Sequence, residues 1–330
     1  MQSKRKLIKA GLEEDIIQKL ISFGLSEYSS ILAYSEWELF QLLDVDIYRA
    51  RGIIQSVSRA VCQTFKGRTL DVILESKSRK AGYLASTIDP LDRHLLGGIP
   101  SGSVTEIVSQ AGMGKTQMCH MLSVIATLPV DKGGLDGGVI YYDTETAFSA
   151  ERLVEMAREK YPEEFKGATD IERLVNRVQK HSLQNLEVTI IEHKIKLIVL
   201  DSIASVVRKE TRGDSAEKRT EAVSKEAALL KNLAEIFDIP VVVTNRVTKK
   251  YETGQSYVSP ALGTLWAHSV NNRIVLDAQG DKRRMIIAKS PVSPVLSFYF
   301  TIRMEGIVCG EEGGVEMNPD NYWGQKIQMK

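Results

Sequence analysis

Cysteine is scarce in this chain of 330 residues: Cys62, Cys119 and Cys309 are odd in number and far apart, with no C-x-x-C spacing. That pattern excludes a disulfide framework and predicts reduced thiols, as in the cytosol or nucleus. Long apolar runs are missing too, and none approaches the ~20 residues a membrane-spanning helix needs. The basic start, Lys4-Arg5-Lys6, runs into Glu13, Glu14 and Asp15, so no secretory signal is expected. A nuclear address there competes with the plainer reading, a solvated end. Nor is one sign of charge in excess: 43 Lys and Arg against 42 Asp and Glu leave +1. This excludes a globally basic nucleic-acid coat, and any DNA binding must come from local patches. Internal repeats and low-complexity tracts are absent. What remains, 43% hydrophobic and 26% charged residues, is ordinary globular composition with material for two domains, or one large domain with an appendage.

The stretch with the most chemistry is Ser109, Gln110, Ala111, Gly112, Met113, Gly114, Lys115 and Thr116. Before it, Ser103-Val-Thr-Glu-Ile-Val108 alternates polar and apolar residues with β-branched enrichment. After it, from Gln117 to Ala126, runs an apolar helix pattern. Strand, glycine loop and helix in that order form a phosphate-binding loop. Loop N–H groups and the positive helix end face one anion, and Gly112 and Gly114 let the backbone approach it. Lys115 would reach the β- and γ-phosphates of ATP, and the Thr116 hydroxyl would ligate Mg²⁺. The usual G-x-x-x-x-G-K-[ST] pattern has glycine where this chain has Ser109, so some backbone strain is expected there.

Taken in order, residues 11–62 read as a small helical bundle of helix-hairpin-helix flavour. Its apolar faces are Ile16, Ile17, Leu20 and Ile21; Trp37, Leu39, Phe40 and Leu43; and Ile53, Ile54, Val57 and Val61. The hairpin position Leu43-Asp-Val-Asp46 is acidic and lacks glycine, which favours a docking role over contact with DNA backbone. Residues 63–82 read as a linker whose Leu70-Asp-Val-Ile-Leu74 could add as an edge strand to a neighbour or pack on its own domain. From 83 on, strands and helices alternate, predicting an α/β fold with a mostly parallel sheet. Strands are expected at 104–108, 139–142, 197–200 and 241–244, helices near 150–160 and 217–237. Three further strands after 273 suit an antiparallel edge.

Two of these strands end in carboxylates. Lys196-Leu-Ile-Val-Leu-Asp201 reads as a buried parallel strand delivering Asp201 beside the glycine loop, to support the metal and orient Thr116. Val139-Ile-Tyr-Tyr-Asp-Thr-Glu145 delivers Glu145, expected to align and deprotonate the attacking water. Asp143 is the competitor, with turn capping as its plainer role. Two polar loops are expected on the same edge, Arg208–Arg219 and Val247–Val258. Arg208, Lys209, Arg212, Lys249 and Lys250 with Tyr251 are the charge-and-ring mixture a single-stranded nucleic-acid groove uses, though solvated loops read the same way.

With Gly97-Gly-Ile-Pro-Ser-Gly102, the glycine loop, Tyr142-Asp-Thr-Glu145, Glu151-Arg-Leu153, Leu200-Asp-Ser202 and Val243-Thr-Asn245 in place, the chain resembles the eukaryotic RecA-like DNA-repair recombinases over nearly its whole length. Ala147–Leu153, Ser202–Glu210, Trp266–Asn271 and Ala288–Pro291 look most like the B-type branch of accessory paralogues. The resemblance implies a RecA-type ATPase core at 83–330, a helical domain before it, and a nuclear role in recombination. It implies Arg152 against the adenine and Lys289, Ser290 and Pro291 at a subunit interface. Single-stranded DNA would lie on the two loops. Sister paralogues of the C, D and X-ray-repair types would be partners, and the main recombinase filament the client. Polymerising members carry a short aromatic linker motif; Leu70–Leu74 is only a loose substitute, which weakens the case for self-filaments. Members usually place glutamine after Thr-Asn to sense the γ-phosphate; this chain has Arg246, which can pair with phosphate bidentately but cannot accept a hydrogen bond. The reading is a DNA-stimulated, Mg²⁺-dependent ATPase assisting recombinational repair. Its rivals are a strand-exchanging recombinase and a nucleotide-bound scaffold with little hydrolysis.

Overall fold

The computed structural model describes residues 7–8, 10–61, 82–180, 186–252, 255–309 and 315–316. The chain divides into two compact units, Met1–Ser76 and Lys77–Lys330.

Among the described residues of the first unit, helices α1 (Glu14–Ser22), α2 (Tyr28–Leu32), α3 (Glu36–Leu43) and α4 (Ile47–Val61) enclose an apolar core. Ile16, Ile17, Leu20, Ile31, Leu39, Leu43, Ile53 and Val57 are buried together. Helix α3 starts at a capping box, in which the Ser35 hydroxyl accepts from the Glu38 N–H and the Glu38 carboxylate accepts from the Ser35 N–H. Trp37, assigned to the inner face, is instead exposed: Leu39 and Leu43 at i, i+4 fill the core side, and Trp37 stacks on Phe40 outside it. The short α2 escapes the periodicity because its five residues make little more than one turn. The linker segment 63–81, including Leu70–Leu74, and the basic start lie outside the described residues.

The second unit opens with a hairpin of β1 (Tyr83–Leu84) and β2 (Ile99–Pro100) around α5 (Asp89–His94). The main sheet then follows as β3 (Val104–Ser109), α6 (Lys115–Thr127), β4 (Gly138–Asp143), α7 (Ala150–Lys160), α8 (Ala168–Arg177), β5 (Val178–Lys180), α9 (Leu186–Glu192), β6 (Ile195–Asp201), α10 (Ile203–Glu210), α11 (Ala216–Phe237) and β7 (Val241–Glu252). It is completed by β8 (Gln255–Pro260), α12 (Gly263–Ser269), β9 (Asn272–Gln279), β10 (Lys282–Lys289), β11 (Leu296–Arg303), β12 (Gly306–Cys309) and β13 (Val315–Glu316). The order across the sheet is β12-β11-β10-β9-β3-β7-β6-β4-β5, parallel from β9 to β5 and antiparallel from β9 to β12.

This is the expected mostly parallel sheet with an antiparallel edge, covered on both faces. Met118, Leu122 and Ile125 of α6 with Leu153 and Met156 of α7 pack on one side. Ile203 and Val207 of α10 with Val223, Leu230 and Ala234 of α11 pack on the other. Burial on both faces explains why β6 reads as a near-continuous apolar run; β3 is equally buried but takes Thr105, Glu106 and Ser109 inside with it. The two polar loops are corrected. Residues 208–210 finish α10, and 216–219 begin α11 on a Ser215 cap, which leaves only 211–215 outside helix. The stretch 247–258 is an antiparallel hairpin, β7 running on to pair Val247↔Pro260 through Glu252↔Gln255. A hairpin this rich in polar residues carries no apolar alternation, so composition alone reads as loop.

Candidate nucleotide site

Register assembles the site. Ser109, the last residue of β3, lies opposite Arg246 of β7, and Asp143 of β4 lies opposite Asp201 of β6. The ends of β3, β4 and β6 and the middle of β7 therefore present their chemistry along one edge, where an open α/β sheet binds ligands. From β3 the chain turns through Gly112 (φ +80°) and Gly114 (φ +109°) into α6, whose first turn begins at Lys115. A Cβ on Gly112 would meet open space, but on Gly114 it would come within 2.8 Å of the Ile302 side chain. The loop, Glu145, Asp201, Arg246, Val247 and Ile302 enclose a cavity of about 640 Å³, within the about 300–1,000 Å³ typical of ligand pockets. Ser109, Gln110, Ala111, Gly112, Gly114, Lys115, Thr116 and Gln117 line it, whereas Met113 packs against the core.

Ser109 adopts ordinary extended strand geometry rather than a strained one. Its hydroxyl donates to the Gln110 carbonyl (2.7 Å) and accepts from Lys115 Nζ (2.9 Å). Lys115 also donates to the Ser109 and Gln110 carbonyls, each at 3.1 Å. Burial pulls its pKa down, opposed by the carboxylates of Asp201 and Glu145. An ammonium held at the N-terminal mouth of α6 is an anion seat.

The Asp201 carboxylate is buried and gathers three hydroxyls: Thr116 (2.8 Å) and Tyr141 (3.1 Å) on Oδ2, Thr244 (2.5 Å) on Oδ1. The peptide bond that follows it is cis. The Thr116 hydroxyl and the Asp201 carboxylate form the hard oxygen pair that suits Mg²⁺. Behind Thr116, His120 stacks on Phe148 with ring centres 5.0 Å apart. Its Nε2 accepts from the Ser149 N–H, which leaves the proton on Nδ1 to donate to the Thr116 carbonyl (2.7 Å). Burial lowers its pKa, keeping the ring neutral.

Asp143 takes the capping role. Its carboxylate accepts from the N–H groups of Glu145, Ala147 and Phe148 and so shapes the turn. Thr144 staples that turn to β6, its hydroxyl accepting from the Ser202 N–H at 2.8 Å. Glu145 is thereby aimed at the cavity. Its Oε1 accepts from Ser202 (2.6 Å), Ser205 (2.9 Å) and Arg246 Nε (2.9 Å), and Oε2 pairs with Arg246 Nη2 (2.5 Å). Desolvation pushes its carboxyl up, but the bonds from Arg246, Ser202 and Ser205 outweigh it and hold the pKa at about 2.

Arg152 stands behind Gln117 rather than on the cavity wall. Its Nε donates to Gln117 Oε1 (2.9 Å), and the other guanidinium nitrogens reach Glu155 and the Met304 and Arg303 carbonyls. Lys289 closes the end of α12 by donating to the Ala267 (2.9 Å) and Val270 (2.6 Å) carbonyls. On the far side of Arg246 lies a second cavity of about 560 Å³ with an apolar floor and Arg208, Arg212 and Arg219 on its walls. Lys209 points instead to the turn after β4, donating to the Thr144 carbonyl. Lys249, Lys250 and Tyr251 sit on the β7–β8 hairpin, with side chains outside the described residues.

The sequence reading missed Tyr141, Thr244 and His120. The i, i+4 spacing of Thr116 and His120 was a usable signal for the last. For Tyr141 and Thr244 none existed, because only strand adjacency brings them to Asp201. Also unforeseen is a buried cluster beneath the site. Glu106 accepts from Asn245 Nδ2 (2.7 Å), Trp266 Nε1 (2.7 Å) and Arg273 Nε, tying β3 to β7, α12 and β9.

Comparison with known proteins agrees with this geometry. The Rad51 family model matches residues 80–309. DNA repair protein RAD51 homolog 2 of Homo sapiens is 35% identical over 345 residues, covering 93% of this chain and 89% of its own length. The RAD51 homolog 2 of Arabidopsis thaliana is 34% identical over 350 residues, covering 94% and 93% respectively. The DNA repair and recombination protein RadA of Aeropyrum pernix is 32% identical over 303 residues, covering 90% and 94%.

Proposed function

This chain belongs to the Rad51 family as a eukaryotic RecA-like recombinase paralogue with a role in recombination and DNA repair, and we propose that it acts there as an ATP-hydrolysing accessory factor. The observation that carries the reading is the convergence of Lys115, Thr116, Asp201 and Glu145 on one cavity at the mouth of α6. Lys115 and the loop N–H groups neutralise the phosphates. Thr116 and Asp201 would hold Mg²⁺, which would offset charge on the transferring phosphoryl group. Tyr141 and Thr244 fix the Asp201 carboxylate. Glu145 orients the attacking water and takes its proton.

Single-stranded DNA is the proposed activating ligand, approaching the 211–215 turn and the β7–β8 hairpin. Arg208 and Arg212 supply phosphate contacts, as do Lys249 and Lys250, with Tyr251 stacking on bases. Sister paralogues of the C, D and X-ray-repair types are the proposed partners in the nucleus, and the main recombinase filament is the client. An ATPase assay of the full chain with those paralogues, with and without single-stranded DNA, tests this. We expect stimulated turnover that Glu145→Gln abolishes while nucleotide still binds. Turnover unaffected by Glu145→Gln would place the base elsewhere. A second reading, a nucleotide-bound scaffold with slow hydrolysis, is favoured by one observation: Glu145 is already engaged by Arg246. Retained repair and partner binding in Lys115→Arg would select it.

A further inference from the structure

Arg246 borders two cavities at once, the nucleotide cavity with Lys115 and Glu145 and the arginine-walled one beyond it. Its backbone lies directly across from Ser109, at the start of the loop, and its side chain reaches over to Glu145. The charges of Glu145 and Arg246 both act on Lys115, in opposite senses, so the pair sits beside the lysine that meets phosphate. A guanidinium fork matches either a carboxylate or a phosphate, but one edge cannot serve both. Glu145 keeps Ser202 and Ser205 as donors whichever partner Arg246 takes.

We propose that Arg246 is a positioning residue shared between Glu145 and the terminal phosphate of a nucleoside triphosphate, the two anions competing for one guanidinium. A third phosphate draws the arginine off Glu145 and leaves the carboxylate free for water. A diphosphate does not reach it, and the pair stays closed. The inference rests on the nucleotide reading of the cavity.

Calorimetric titration of the full chain with Mg·ADP and with non-hydrolysable Mg·AMP-PNP tests it. Glu145→Gln removes the competitor and should tighten AMP-PNP by about fivefold, the size of a partly exposed charge pair. ADP affinity should stay the same, which also reports an intact fold. Arg246→Gln should lower the preference for triphosphate over diphosphate. In the Glu145→Gln/Arg246→Gln double variant the gain should vanish. An unchanged AMP-PNP/ADP ratio in Glu145→Gln, or a gain that survives without Arg246, overturns the sharing and leaves the nucleotide site standing. A wild-type chain that binds neither nucleotide overturns both.

Discussion

Replacing Arg273 by alanine should be the most damaging single change in the sheet that does not touch the site. Glu106 is fully buried at the centre of β3, and the Arg273 side chain is only 8% exposed. Of the three donors on that carboxylate, Arg273 alone carries charge; Asn245 and Trp266 are neutral. Truncation leaves an anion in a low-dielectric interior, which costs about 3–5 kcal/mol for a broken buried pair. At about 2–4 °C per kcal/mol for a unit of this size, Tm should fall by about 6–20 °C. Scanning calorimetry of the full chain reads this in the transition that nucleotide stabilises. Removing both charges, as in Glu106→Gln/Arg273→Met, should recover much of the loss, because an apolar or neutral filling costs no uncompensated ion. A single variant as stable as wild type, or a double variant as unstable as the single, would refute the assignment of that energy to a stranded carboxylate.

Three further outcomes are expected. Asp201→Asn should weaken Mg²⁺-dependent nucleotide binding by about 10–100-fold, read as the difference between titrations with magnesium and with chelator. Thr244→Val leaves Asp201 Oδ1 without its shortest donor and should cost about 1–3 kcal/mol in denaturant unfolding. Ser109→Gly should lose about 0.5–1 kcal/mol, since a glycine late in a buried strand is costly and no strain is relieved; a gain in stability would contradict the relaxed geometry described. The pH dependence follows from Glu145, whose folded pKa of about 2 lies below the ordinary 4.5. That stabilisation is full above about pH 4.5 and is lost as pH falls towards 2. With Arg246 half exposed, it amounts to about 1 kcal/mol or less. The stability gap between wild type and Arg246→Gln should close over that acid window in denaturant titrations.

The glycine loop, the carboxylate-ended strands and the alternation of elements were legible in the chain because each is written in contiguous residues. Leu197–Leu200 is buried on both faces and therefore apolar throughout, and α11 repeats Val223, Ala227, Leu230 and Ala234 at helical spacing against one sheet face. The β7–β8 hairpin was not legible, since its ladder bonds depend on backbone pairing that polar side chains neither demand nor forbid. The roles of Asp143 and Glu145 were open in sequence for a similar reason. Both lie where the same strand runs out, and only the turn bonds to three backbone N–H groups make one a cap and release the other to the cavity.

By itself, then, the sequence determined the glycine loop, the carboxylate that ends the strand beside it and the layered α/β class, all set by local pattern and spacing. The tertiary structure decided who meets whom across strands. Thr244 and Tyr141 hold Asp201, Glu106 is neutralised by Arg273, and the half-exposed Arg246 pairs with Glu145. Those pairings join residues 43 to 167 positions apart, and sheet order and register, which no local periodicity encodes, brought them within hydrogen-bond reach.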